Sequence, residues 1–141
     1  MSDFNSRIIE EFRANGGKVS VDFDGCPLIL LHHLGAKSGT ERVTPVACFP
    51  QSDGRLVVWA SNGGAEKHPD WYHNLKAHPE IYVEFGAEGF DAVGQELGGS
   101  ERARVWADAV SAAPTLGEAQ KKTSRTFPVL LLTRITDKSP R

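Results

Sequence analysis

The chain has 141 residues, of which 40% are hydrophobic, a formal net charge of -2 and a pI near 6.2. This length supports one ordinary hydrophobic core and is short for two, so we predict a single domain over residues 1–141. The slightly acidic balance argues against a broad basic surface for nucleic acid or anionic lipid. It leaves room for a local cationic pocket that binds one small anion.

The first 17 residues are predicted to form a helix packed outside the main sheet. Phe4, Ile8 and Phe12 recur at i+4 spacing, and the Gly16-Gly17 pair predicts the C-terminal end of the helix. The segment has no basic-then-apolar leader and no long uncharged stretch. We therefore expect a cytoplasmic protein without stable membrane insertion.

Strand patterns then follow, separated by turn signals. Alternating apolar residues at 19–23 lead into an Asp24-Gly25 turn, and residues 28–34 read as a buried strand. Cys26 and Cys48 lack metal-type or redox-type spacing, so they are interpreted as small buried side chains instead of a disulfide. Further strands are predicted near residues 43–49, 55–61, 81–85, 90–97 and 128–135.

Two internal helices complete the predicted elements. His68-Pro69 favours a helix over residues 70–77, because proline suits the first helical turn. The second helix has Ser100 as its predicted N-cap and an apolar stripe, formed by Val105, Trp106, Ala109, Val110 and Ala113. Six or seven short strands in hairpin order with three or four helices indicate a mainly β protein, an antiparallel barrel with peripheral helices. Strict strand–helix alternation is missing, which disfavours a doubly wound parallel sheet.

The loop GAKSGTER, residues 35–42, is the first candidate binding motif. It is not a phosphate-binding P-loop, because the glycine spacing is absent and a strand, not a helix, follows. Lys37 and Arg42 nevertheless flank a tight turn, so two cations and several backbone N–H groups can converge on an anion. A solvated hairpin tip is the alternative.

The second candidate motif is WASNGGAEKHPDWYHNL, residues 59–75. Gly63 and Gly64 lack Cβ atoms and would allow a ligand to approach the main chain closely. Lys67 adds a cation, and Trp71 with its neighbours adds a flat apolar wall with polar groups. The alternatives are an ordinary turn and an ordinary core aromatic residue.

The histidines are not predicted to bind a metal. His68, His73 and His78 are spaced by five, which spreads them around a helix instead of placing them on one side. His32 and His33 are interpreted as strand packing, because adjacent residues of a strand point to opposite faces and cannot both enter one site.

The two motifs together carry a resemblance. GxKSGxxRxTP from Gly35 to Pro45 and ASxGGxxKHPxWYHNL from Ala60 to Leu75, followed by AHP at 77–79, resemble the deazaflavin-dependent nitroreductase and quinone reductase family. The similarity extends over nearly the whole chain. It implies a split β-barrel, like those that bind FMN, that binds reduced coenzyme F420 (8-hydroxy-5-deazaflavin). It also implies hydride transfer to a small electron-poor acceptor: a quinone, an activated enone or a nitro compound.

The resemblance also implies which residues form the site. Ser61 and Asn74 match positions that would donate hydrogen bonds to the acceptor oxygen, which makes them the candidate catalytic residues. The phosphate and glutamates of the F420 tail require convergent cations, and the flat ring requires open main chain. The implied coenzyme-binding positions are Lys37, Ser38, Arg42, Thr44, Pro45, Ala60, Ser61, Asn62, Gly63, Gly64, Lys67, Pro69, Trp71, Tyr72 and Asn74.

Two positions depart from the family pattern. Ala36 stands where the family often has arginine, and residues 114–128 lack the tyrosine of members that reduce bulky nitroaromatic compounds. Nitroimidazole reduction is therefore not expected. Two other functions stay open at this point: an FMN-dependent oxidoreductase of the same barrel type, and a non-catalytic carrier of F420 or an apolar ligand. A monomer or weak homodimer is expected.

Overall fold

The structure is a computed structural model that describes residues 3–19, 26–51, 53–60, 67–124 and 126–135. Its helices are α1 (Asp3–Ala14), α2 (Asp70–Ala77), α3 (Gly99–Ala112) and α4 (Pro114–Lys121). Its strands are β1 (Leu28–Leu34), β2 (Glu41–Ala47), β3 (Phe49–Pro50), β4 (Leu56–Trp59), β5 (Glu80–Phe85), β6 (Glu88–Glu96) and β7 (Val129–Arg134).

The seven strands form one curled sheet in the order β2-β1-β5-β6-β7-β4-β3, with every neighbouring pair antiparallel. The edge strands β2 and β3 are successive in the chain and are separated by Cys48 alone. The Cys48 N–H donates to the Pro27 carbonyl at 2.9 Å. This continuity brings the two edges of the sheet together and confirms the predicted split β-barrel with peripheral helices.

The inner face of the sheet holds the main core. Side chains alternate between faces along each strand, so every second residue of β1 and its partners on β2 point inward. Helix α2 covers this face through Trp71 and Leu75. The buried members are Ile29, Leu31, Val46, Cys48, Leu56, Val58, Ala60, Trp71, Leu75, Ile81, Val83, Ala92, Leu130 and Leu132.

The outer face is covered by the other helices. Ile8 and Phe12 of α1 pack on Leu28 and Leu30 of β1. Burial of one such side chain stabilises the fold by roughly 1.5–3 kcal/mol. Helices α3 and α4 cover β4 and β7. The sheet is therefore apolar on both faces where helices lie against it.

Most predicted elements are confirmed with small boundary shifts. The strand expected at 43–49 begins at Glu41 and is interrupted at Cys48. The prediction of Ser100 as N-cap is wrong: α3 begins at Gly99, and extended backbone at Gly98 occupies the cap position. Helix α4 was not predicted as an element of its own, although Pro114 stands in its first turn.

Other predictions concern the cysteines and the segments outside the described residues. Cys26 and Cys48 are not joined by a disulfide; Cys48 is fully buried, as predicted, and Cys26 is half-buried. The turn and most of the strand expected at residues 19–25 lie outside the described residues, as does Ser61 at the end of the strand expected at 55–61. In the described part of the chain, no helix is long and apolar enough to cross a bilayer.

Candidate functional site

The tip of the β1–β2 hairpin, residues 35–40, is a closed turn built by backbone bonds. The Gly35 N–H donates to the Thr40 carbonyl at 2.9 Å, and the Gly39 N–H donates to the Gly35 carbonyl at 2.9 Å. The Thr40 N–H donates to Ser38 Oγ at 3.1 Å. These bonds fix the tip while leaving Lys37 and Ser38 exposed.

Both glycines of the tip suit its geometry. Gly39 has a φ of +70°, a conformation that costs residues with a side chain free energy. A Cβ atom on Gly35 would lie 2.5 Å from Ser38 Oγ, so the Ser38 side chain would have to move from the position in which it accepts the Thr40 N–H. The spacing GxKSG therefore specifies one shape of loop.

The tip can accept an anion. Among the described residues, the backbone N–H groups of Lys37 and Ser38 have no acceptor, and neither Lys37 nor Arg42 forms an ion pair. Arg42 pairs in register with His33, which places it on the inner face of β2. Two cations and two N–H donors therefore lie on one hairpin, an arrangement that is suited to an anion, and the anion site stays a prediction.

Asn74 connects this hairpin to α2, and it thereby joins the two sequence motifs. Its Oδ1 accepts the Ala36 N–H at 2.8 Å, and its Nδ2 lies 2.9 Å from His33 Nδ1. His33 Nε2 lies 2.8 Å from Thr44 Oγ1. Asn74 and His33 are the only buried polar residues found in the described part of the chain. Helix α2 and the hairpin are thus held together by polar groups within an otherwise apolar interface.

His33 was missed as a site residue by the sequence analysis. Adjacent histidines do point to opposite faces, as predicted, but His33 is bonded to two predicted site residues and does more than pack. Burial lowers the pKa of His33 to about 4, with further lowering by Arg42 and His32 and an opposing effect of Asp70. The imidazole is therefore neutral at pH 7. The alternation of Ile29, Leu31 and His33 on one face was the available signal.

Thr44 and Pro45, both predicted to bind the coenzyme, lie on opposite faces of β2. Thr44 pairs with Leu31 and faces inward, whereas Pro45 pairs with Leu30 and faces the side covered by α1. Their side chains therefore do not meet in one site. Thr44 lies with Arg42 and Val46 along the inner face of β2.

Among the predicted positions in α2 and just after β4, some are buried in the core and one is partly exposed. Ala60 is fully buried and Trp71 is nearly so, and both belong to the inner core. The half-buried Tyr72 donates its hydroxyl to Glu96 Oε1 at 2.7 Å. Burial and the Glu96 carboxylate raise the pKa of Tyr72 to about 12, so the phenol stays protonated near neutrality.

The remaining predicted positions lie before α2 or outside the described residues. Lys67 is exposed, and Pro69 is half-buried at the N-cap of α2. Ser61, Asn62, Gly63 and Gly64 lie outside the described residues. Within those residues, no group of three or more His, Cys, Asp or Glu side chains could hold a metal ion.

Comparisons with known proteins agree with this geometry. The model of a family described as F420H(2)-dependent quinone reductase matches residues 6–134. The F420H(2)-dependent quinone reductase Rv1261c of Mycobacterium tuberculosis is 34% identical over 127 residues, which cover 87% of this chain and 85% of that protein. This match extends over both candidate motifs and most of the strands.

Solved structures of related proteins are also similar to this chain in fold and in sequence. An F420-H2 dependent reductase, FDR-A, superposes with a TM-score of 0.68 at 40% identity, covering 75% of this chain and 93% of its own. A structure described as a domain-swapped dimer has a TM-score of 0.70 and 37% identity, covering 90% and 92% of the two chains. Together with the split barrel, these matches establish that the chain belongs to the F420H(2)-dependent quinone reductase family, whose members are oxidoreductases that use coenzyme F420.

Proposed function

We propose that this protein transfers a hydride from reduced coenzyme F420 to a small quinone. The hairpin tip carries the proposal, because Lys37, Arg42 and two backbone N–H groups there have no anionic partner among the described residues. The coenzyme's tail bears a phosphate and glutamates, which are the anions such a tip would hold. Each charge-assisted bond of this kind is worth roughly 1.5–3 kcal/mol.

The residues around the tip fit the rest of the coenzyme. Ala36 precedes Lys37 in the tip, and its N–H donates to Asn74 Oδ1. We expect the tail to lie along the tip, with Lys67 contributing a further positive charge. The flat ring is expected to lie against the main chain at residues 61–64, near Trp71, an assignment that rests on the family motif.

The chemistry requires little acid–base machinery from the protein. When bound, reduced F420 supplies the hydride. The residues of this chain would hold donor and acceptor in contact, exclude water and stabilise charge that develops on the acceptor oxygen. We propose that the Ser61 hydroxyl and the second amide hydrogen of Asn74 donate hydrogen bonds to that oxygen. The bonds of Asn74 to Ala36 and His33 would fix the orientation of its amide.

We propose that quinones are the best hydride acceptors, that activated enones are the next best and that nitroaromatic compounds are poor acceptors. Residues 114–128 contain no tyrosine, unlike family members that reduce bulky nitro compounds. Part of this stretch forms α4, whose Leu116 packs with Ala109 and Phe127 outside the barrel. The stretch therefore serves as packing here, which supports a less polar acceptor pocket.

We further propose that residues 1–141 act as one coenzyme-binding domain in the cytoplasm, as a monomer or a weak homodimer. Neither nucleic acid nor a membrane is a proposed partner. The acidic net charge of -2 supports this choice.

Stopped-flow oxidation of reduced F420 tests the proposed function. The coenzyme would be labelled with deuterium at its reactive ring carbon and mixed with a naphthoquinone, an enone or a nitroimidazole. We expect fast oxidation with the quinone, a slowing by the label, and slow reaction with the nitroimidazole. Ser61→Ala should slow the quinone reaction while coenzyme affinity is retained. Tight binding without turnover of any acceptor would make the protein a carrier, and absence of coenzyme binding would refute the proposal.

A further inference from the structure

A chain of hydrogen bonds runs from the hairpin tip across α2 and β1 to β2. It consists of the Ala36 N–H, the Asn74 amide, the His33 ring and the Thr44 hydroxyl, with successive heavy-atom distances of 2.8, 2.9 and 2.8 Å. Asn74 and His33 are 6% and 2% exposed. Water therefore has little access to the middle of this chain.

The donor and the acceptor of every bond in the chain follow from its first group, the Ala36 N–H. A backbone N–H can only donate, so the oxygen of the Asn74 amide faces Ala36 and the amino group faces His33. An amino group also only donates, so His33 Nδ1 must accept and carries no hydrogen. The hydrogen of the neutral ring is then on Nε2, which donates to Thr44 Oγ1.

The end of the chain is a donor with a free hydrogen. Thr44 Oγ1 uses a lone pair to accept from His33, and its own hydrogen has no acceptor among the described residues. Thr44 is half-buried on the inner face of β2, two residues from Arg42. A ligand oxygen without a hydrogen, such as a carbonyl or phosphate oxygen, is the complementary group.

We infer that His33 is a positioning residue that fixes the Thr44 hydroxyl as a hydrogen-bond donor to an oxygen of the bound coenzyme. This inference rests on the proposed function, since it assigns the ligand oxygen to F420. Asn74 sets the tautomer of His33, and His33 sets the orientation of the Thr44 hydroxyl. The same Asn74 also holds Ala36, so the tip with Lys37 and the Thr44 donor are positioned by one side chain.

A protonated His33 could not take part in this chain. Both ring nitrogens would then donate, and Nδ1–H would face the Asn74 amino group. Rotation of the amide would relieve that conflict only by turning the amino group towards the Ala36 N–H. The neutral form is supported by burial, which lowers the pKa of His33 to about 4 together with Arg42 and His32 and against the opposing effect of Asp70.

Nitrogen-15 NMR of the parent protein without coenzyme tests the tautomer directly. At pH 7 we expect a pyridine-like shift for Nδ1 of His33 and a pyrrole-like, protonated shift for Nε2. A hydrogen on Nδ1, or an imidazolium ion at pH 7, would overturn the inference. This result does not depend on whether the protein binds F420.

A double-mutant cycle on coenzyme affinity tests the function of the chain. Thr44→Val has nearly the same shape without the hydroxyl and should weaken F420 binding about tenfold. Thr44→Ser keeps the hydroxyl and should retain the affinity of the parent. His33→Leu should weaken binding similarly alone but change it little once Thr44 is valine. Independent effects of the two changes would contradict positioning through Thr44.

The outcomes separate this inference from the proposed function. Tight binding by the parent with no loss in Thr44→Val would overturn the inference alone. A parent that does not bind F420 would refute the proposed function and, with it, the assigned ligand. If His33→Leu does not fold, the Thr44→Val and Thr44→Ser pair together with the NMR shifts still decides the question.

Discussion

The two faces of β1 use adjacent histidines in opposite ways. His33 on the inner face is buried, and its partners are the uncharged groups of Thr44 and Asn74, at 2.8 and 2.9 Å. His32 on the outer face lies between two carboxylates, 2.6 Å from Glu84 and 3.3 Å from Glu41. One residue type therefore serves a neutral network on one side and an ionic cluster on the other.

The two faces also differ in whether their arginines form ion pairs. On the outer face, the Arg13 guanidinium bonds Glu84 at 2.7 Å, and this bond, with help from His32, lowers the pKa of Glu84 against the effect of burial. On the inner face, no described carboxylate pairs with Arg42. The cation of the outer face is neutralised within the fold, whereas that of the inner face has no described carboxylate partner, which supports its proposed role as an anion ligand.

The largest expected difference between the two faces is a pH dependence of stability. The unfolded chain protonates His33 near its ordinary pKa of 6.5, but the folded chain does so only near 4. The unfolded state therefore binds more protons between these values, and stability falls as pH drops from 6.5 to 4, by up to about 3 kcal/mol. Urea unfolding should show this loss in the parent and in His32→Gln. His33→Gln should lack it; the same slope in all three would contradict the prediction.

Coenzyme affinity should distinguish the two arginines. Arg42→Ala removes the unpaired cation of the inner face and should weaken F420 binding tenfold to a hundredfold, about 1.5–3 kcal/mol. The loss should shrink at high salt, because ions screen an exposed charge. Arg13→Ala, the matched change on the outer face, should leave the dissociation constant unchanged. Fluorescence titration measures both, and equal effects would remove the distinction between the faces.

Substitution of two asparagines, one at the inner face and one next to α1, compares the two regions in unfolding free energy. Asn74→Ala leaves the Ala36 N–H and His33 Nδ1 without their partner and should cost about 2 kcal/mol of unfolding free energy. Asn15→Ala, next to α1, removes an exposed bond to the Glu11 carbonyl and should cost under about 0.5 kcal/mol. Urea unfolding with unchanged m-values is the measurement. A loss as small for Asn74 as for Asn15 would show that the network is not stabilising.

A smaller effect than that of Asn74→Ala is expected in the ionic cluster of the outer face. Glu84→Gln should cost about 1 kcal/mol or less at pH 7, because the Arg13 side chain of the pair is half exposed. The pKa of Glu84 is lowered in the folded state, so its contribution is present above pH 4.5 and is lost as pH falls through the lowered value. Parent and variant should therefore converge in acid. A difference that persists at low pH would contradict the ionic origin.

Local patterns in the sequence predicted most of the fold. The i+4 spacing of Ile8 and Phe12 predicted α1, and the apolar run from Leu28 predicted β1, because both periods depend on neighbours in the chain. Ser100 was wrongly assigned as a cap, since Gly98 accepts the extended conformation without a side-chain bond. Local propensity does not resolve such competition between adjacent residues.

The candidate site was predicted in composition but not in geometry. The spacing of Gly35, Lys37 and Gly39 specified an exposed loop with a cation, and Lys37 is indeed at its tip. No sequence pattern indicated that Asn74 bonds Ala36, 38 positions away, or that His33 lies between Asn74 and Thr44. Those contacts require α2 to cross the inner face at one place.

By itself, the sequence determined most of the strands and helices, the turn at the hairpin tip and the cations next to it, because each depends on spacing along the chain. The register of β1 with β2 and the packing of α2 decided the remainder. That register places His33 opposite Arg42 on the inner face. It also places Thr44 and Pro45 on opposite faces of the sheet. A one-residue shift would exchange the two faces, so long-range pairing determined which histidine and which cation lie on the inner face.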